Sequence, residues 1–147
     1  MTITKTFSEL DTEDLYQILR LRSEVFVVEQ DCVYQDIDNK DQNAIHLYLK
    51  ENDEIVAYTR IFKAGHYYEN PCIGRVVVSK KNRGKDLGKK IMIDSIEYIK
   101  QNIKGKKIEL SAQKYLYKFY KDLGFYKIGE DYLEDGIPHQ RMIFDLV

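Results

Sequence analysis

Cysteine and proline are scarce in this sequence, with two of each in 147 residues. Cys32 and Cys72 are too few and too far apart to staple a small scaffold, and two free thiols fit a reducing compartment. The low proline count, with no Gly/Ser-rich tract, argues against long disordered linkers. No apolar N-terminal segment reads as a signal peptide, and no run approaches membrane-spanning length. A cytoplasmic protein without membrane attachment is expected. Neither sign of charge is in excess: 23 basic residues face 24 acidic ones, for a net charge of −1. The whole molecule is therefore no polyanion binder, and nucleic-acid binding is disfavoured. No His/Cys cluster has ligand spacing, so no metal is expected.

What is present is a chain long enough to bury one core, read as a single domain over 1–147. "TITKTF" (2–7) alternates β-favouring residues. Asp11 or Thr12 can cap a helix in which Leu15, Ile18, Leu19, Arg22 and Phe26 recur at helical spacing. Residues 31–43 are polar and turn-prone. Ile45–Lys50 and Ile55–Phe62 read as a hairpin across "ENDE". "CIGRVVVS" (72–79) is a strand apolar enough for a central place in a sheet. A helix over about 86–103, a strand over 106–112, a helix over 114–124 and a final strand pair complete the order. That order describes a mixed α/β domain rather than a uniformly alternating one.

The most unusual local feature is "VVVSKKNRGKDLGKK" (76–90), where a β-branched run ends in a loop holding six basic residues. A helix start preceded by a Gly-containing turn presents unpaired N–H groups and partial positive charge, a ready anion site. The P-loop and dinucleotide glycine patterns are both missing, which disfavours nucleotide hydrolysis and Rossmann-type redox. Asp86 is out of keeping with a phosphate cradle. It is expected to cap the helix with its side chain turned from the phosphates, beside Lys85 or Lys89.

The loop resembles motif A of the GNAT acyl-CoA N-acetyltransferase superfamily, with Arg83 at its first position and Gly88 at its last. "LRLRSEVFVVEQDCVYQDID" (19–38) and "EDGIPHQRM" (134–142) resemble the ElaA-like branch of that superfamily, and "LSAQKYLYKFYKDLGF" (110–125) its motif B. The resemblance covers nearly the whole chain. It implies the GNAT fold, a central, largely antiparallel mixed sheet flanked by helices, as monomer or homodimer. It also implies acetyl transfer from acetyl-CoA to an amine-bearing acceptor. Val76, Val77 and Val78 fall where the central strand meets the pantetheine arm. Arg83, Gly84, Lys85, Asp86, Leu87, Gly88 and Lys89 fall on the pyrophosphate, and Gln113 on the CoA arm. Tyr120 falls on the general acid that protonates the leaving thiolate, and so borders the cofactor as well.

Thioester aminolysis needs a neutral amine, a donor to the acyl oxygen, an acid for the thiolate and held substrates. A phenol suits the acid. Candidate bases are Glu29, whose carboxyl burial would raise in pKa, and His139, which titrates in the right range unaided. A water relay is the alternative. His46, alternating with Ile45 and Leu47, reads as a strand-face residue. Arg60 and Arg75 each interrupt an apolar strand. Such arginines either bind an acceptor anion or pair with acids such as Asp36 and Asp38. Arg75 and Tyr34 are the candidate acceptor-binding residues. The rival reading is a CoA-binding sensor or interaction module with little catalysis.

Overall fold

The structure, a computed structural model, describes residues 2–147. Seven strands form one sheet: β1 (Thr2–Thr6), β2 (Ile45–Glu51), β3 (Glu54–Phe62), β4 (Cys72–Val78), β5 (Lys107–Gln113), β6 (Tyr126–Glu134) and β7 (Ile137–Asp145). Their order across the sheet is β1-β2-β3-β4-β5-β7-β6. Every neighbouring pair is antiparallel except β4 and β5. β4 is the middle strand, which accounts for its apolar run. The β2–β3 hairpin turns through Asn52 and Asp53, and the β6–β7 hairpin through Asp135 and Gly136. All four have positive φ, as the two-residue turns that match strand twist require.

Helix α1 (Thr12–Arg22) begins where expected, with the Asp11 carboxylate accepting the Asp14 N–H at 2.7 Å. The α-helix does not run on to Phe26 as its periodicity predicts. Ser23–Glu29 winds as a π-helix instead. Ile18, Leu21 and Val25 fill the core at ordinary helical spacing, while Leu15, Leu19 and Phe26 stay half-buried. Helix α2 (Leu87–Asn102) buries Ile91, Met92, Ile96 and Ile99 on the opposite face of the sheet. Short α3 (Tyr117–Asp122) joins them there. Each such buried side chain contributes about 1.5–3 kcal/mol. The sheet thus separates two cores, and α1 with the π-helix covers the smaller one. No described helix is long and apolar enough to cross a membrane.

Two irregularities shape the middle of the sheet. β4 and β5 pair only at Cys72 and Glu109, then splay apart toward their C-termini. β4 also bulges against β3, where register shifts between Tyr58 and Arg60 and Arg75 takes φ +49°.

Candidate active site

The splay opens a cavity of about 680 Å³ that reaches both faces of the sheet, a size typical of small-ligand sites. From Gly74 to Val78 the β4 edge facing β5 has no strand partner among the described residues. Apart from the Val78 carbonyl, which accepts from Arg83 Nε at 3.2 Å, the groups along this edge can pair with a ligand laid along it. Val76, Val77 and Val78 all line this gap.

At the α2 end, Arg83, Gly84, Asp86, Leu87, Gly88 and Lys89 border the cavity. Gly84 has φ +85°, a conformation that suits glycine. An added Cβ at Gly88 would meet Phe119 and Val78 no closer than 3.6 Å, so packing alone does not demand glycine there. The small residue instead keeps the first N–H groups of α2 open to an approaching anion. Asp86 departs from its expected role. It takes the left-handed conformation, and its carboxylate makes no capping bond to the helix. Only its carbonyl engages α2, accepting the Lys90 N–H at 3.0 Å. Lys85 is not beside it in an ion pair but reaches Glu51 at 3.5 Å.

Glu29 also differs from expectation. It sits at the exposed end of the π-helix rather than in an apolar pocket, and meets Arg83 in a two-pronged ion pair. Hydrogen bonding to Arg83 holds its carboxyl below the usual carboxylate range, outweighing the small effect of burial. The rise needed for a general base is absent. Arg83 donates a further bond to the Val78 carbonyl, which holds its guanidinium at the C-terminal end of β4.

Tyr120 on α3 is buried, edge-on to Phe119 and Phe125, and borders the cavity. Burial pushes its hydroxyl well above the ordinary phenol range, so the proton stays on. Among the described residues that hydroxyl has no hydrogen-bond partner.

On the face covered by α1, alternation in β5 and its antiparallel neighbours gathers a polar set. Ser111 and Gln113 of β5 stand beside His139 and Arg141 of β7, with Tyr132 and Glu134 of β6 next to them. The Gln113 and Gln30 amides bond each other at 3.2 Å, joining β5 to the end of the π-helix. Ser111 bonds the Tyr132 hydroxyl. His139 is buried, and its Nδ1–H donates to the Ile137 carbonyl at 2.7 Å. That bond orients the ring and turns Nε2 toward Glu134, whose Oε2 lies 3.4 Å away. Of the residues missed in the sequence, Ser111 left one signal, a polar position alternating with buried apolar ones in β5, while Tyr132 and Glu134 lie on the exposed edge strand β6 and left none.

His46 is remote from this set. Its Nε2–H donates to the Asp41 carbonyl at 3.0 Å and its Nδ1 accepts from Tyr58 at 2.6 Å, which agrees with the strand-face reading.

Arg60 and Arg75 follow the paired alternative. Arg22 bridges Asp36 and Asp41, Arg60 bridges Asp41 and Asp38, and Arg75 bridges Asp38 and Asp36. Three cations and three carboxylates close a ring that ties the 31–43 loop to β3 and β4. Arg75 is thereby not the free anion receptor it was expected to be. Tyr34 joins the ring through a 3.0 Å bond to Asp36, with its face under the Arg75 guanidinium, and still borders the cavity.

Comparison with known proteins agrees with this geometry. The family model described as an acetyltransferase (GNAT) domain matches residues 6–146. The chain is 43% identical to ElaA of Escherichia coli, covering 95% of this chain and 93% of that one. The crystal structure of E. coli ElaA superposes with a TM-score of 0.92 at 41% identity, over 99% of both chains. An acyl-CoA N-acyltransferase from Pseudomonas aeruginosa superposes with a TM-score of 0.89 at 35% identity, over 98% of this chain and 99% of that one. A splayed β4–β5 pair with an open helix N-terminus at its mouth, and family and structural matches along nearly the whole chain, lead to one conclusion: the chain belongs to the GNAT acetyltransferase family, on the side of ElaA.

Proposed function

We propose that this protein moves an acetyl group from acetyl-CoA to a primary amine, by direct attack with both substrates bound. The unpartnered edge of β4 carries this reading, because it offers backbone pairing to an extended arm beside a buried phenol. Arg83, Lys89 and the open N–H groups of α2 fit a pyrophosphate, with Gly84 and Gly88 leaving the backbone accessible. Val76, Val77 and Val78 fit the pantetheine arm, and the bulge at Arg75 frees β4 N–H groups to meet an acyl oxygen. Bound acetyl-CoA supplies a thioester carbonyl and a thiolate leaving group.

Tyr120 donates its proton to the sulfur as the C–S bond breaks. His139 Nε2 takes the proton lost by the amine as the C–N bond forms, and its Nδ1 bond to Ile137 holds the ring in place. Gln113 and Gln30 bring the end of the π-helix over the CoA arm. Tyr34 borders the acceptor half.

Thiol release from acetyl-CoA across a panel of primary amines tests the reading. Turnover that falls in His139→Gln and Tyr120→Phe supports it. CoA binding with no turnover on any amine, and no effect of either substitution, refutes it in favour of a binding module.

A further inference from the structure

We infer that the outer face of α1 and the π-helix joins two copies of this chain about a two-fold axis. Large apolar side chains stand out there: Tyr16 is 69% exposed, Val28 71% and Ile37 56%. With Leu19, Arg20, Ser23 and Glu24 they line a shallow groove of about 540 Å³. An unbroken α-helix would leave Val28 about 120° round from Tyr16. The π-helix turns less per residue, its Gln30 N–H reaching back to the Val25 carbonyl, and this brings both side chains to one groove. Apolar walls rimmed by charge mark a contact between proteins.

The charges on this strip identify the partner. Arg22 is fully buried, so it marks the inner side of the strip at its middle. Arg20 and Glu24 are equally spaced along the chain before and after it, as are Tyr16 and Val28. A second copy of the helix, laid antiparallel about an axis through this midpoint, sets Arg20 of one copy against Glu24 of the other. The same operation sets Tyr16 against Val28, and each contact is made twice. Arg20 and Glu24 are 3.8 Å apart within one chain and each more than half exposed, so both can turn to the second copy. Carrying one cation and one anion, the face complements itself and favours neither a basic nor an acidic partner.

Ser23, near the axis, is small enough to let the two helices approach closely. The pairing also bears on the cavity. The π-helix ends at Glu29, whose carboxylate meets Arg83, and Gln30 follows with its bond to Gln113. A second copy against Val28 braces that end of the helix in both chains. A contact centred on one helix is small, which fits a dimer that dissociates in the micromolar range.

Sedimentation equilibrium of the full chain, from micromolar to near-millimolar concentration, tests the inference. The parent should show a monomer–dimer equilibrium. Arg20→Glu places like charges at both axial contacts, and so does Glu24→Arg; each should weaken self-association about tenfold or more. Mixed in equal amounts, the two variants regain opposite charges at both contacts and should pair with each other at parental affinity. Val28→Asp should weaken association to a similar degree, and neither charge variant should rescue it. All three positions are more than half exposed, so each variant should keep the parent's circular dichroism spectrum. A parent that stays monomeric throughout overturns the inference. So does a dimer indifferent to the three substitutions, or a mixture of the two charge variants that stays apart.

Discussion

Glu29 and Arg83 grip each other across the mouth of the cavity, with Nη1 2.5 Å from Oε2 and Nη2 2.9 Å from Oε1. One partner comes from the π-helix and the other from the basic loop 54 residues later. A carboxylate thus occupies the guanidinium that the proposed pyrophosphate site requires. Glu29→Gln should tighten CoA binding about two- to fivefold, the range of an exposed ion pair. Calorimetric titration with CoA at low and high salt checks this. Unchanged or weaker affinity would show that the pair persists in the complex.

Asp86 adds a second carboxylate to the same cradle, in a conformation that asparagine also adopts. Asp86→Asn removes the charge without disturbing the turn. CoA affinity should rise a few-fold with little change in melting temperature, because no capping bond is lost. A fall in stability of about 1 kcal/mol would indicate a capping role in solution.

Tyr120→Phe keeps the ring that packs on Phe119 and Phe125 and removes only the hydroxyl. Turnover should drop about 100-fold or more, the contribution of a positioned acid. CoA affinity and urea midpoint should stay close to the parent. Equal turnover in both proteins would remove Tyr120 from the mechanism.

Arg22 is fully buried and serves two carboxylates at 2.8 and 2.7 Å. Arg22→Met leaves part of the Asp36 and Asp41 charge without its partner, at a cost of roughly 3–5 kcal/mol. A melting temperature lower by about 10 °C should follow for a chain of this length. A loss below about 1 kcal/mol would mean that Arg60 and Arg75 take up both acids.

Acid stability should fall in two stages. Burial chiefly holds the His46 imidazole below its ordinary 6.5, so the folded chain refuses a proton that the unfolded chain accepts. Stability is full above pH 6.5 and declines as pH falls toward the folded value. For Asp38 and Asp41, burial alone would raise the pKa, but contacts with Arg22, Arg60 and Arg75 outweigh it and hold both below 3.8. Their contribution is present above 3.8 and is lost as pH falls through the folded values. Urea midpoints from pH 8 to pH 5 should decline in the parent and flatten in His46→Gln. An equal slope in both proteins would exclude His46 as the source.

Hydrophobic periodicity and turn chemistry, both local properties, were enough to place the strands, α2, the Asp11 cap and the central position of β4. The resemblance carried by 19–38, 76–90 and 134–142 was enough to name the family. Local pattern could not reveal the π-helix, because the buried spacing from Ile18 to Val25 stays α-like across the junction. Nor could it decide the state of Glu29, whose partner lies 54 residues away. The same limit applies to the Arg–Asp ring and to the pairing of His139 with Glu134. An ionisable group takes its charge, partner and reach from whatever folds against it, and sequence neighbours carry little of that information. The sequence by itself therefore determined the strands, α2, the sheet's middle strand and the family. Only the tertiary structure decided which acids and bases are free to act, because strand splay and long-range ion pairing are set by packing between distant segments.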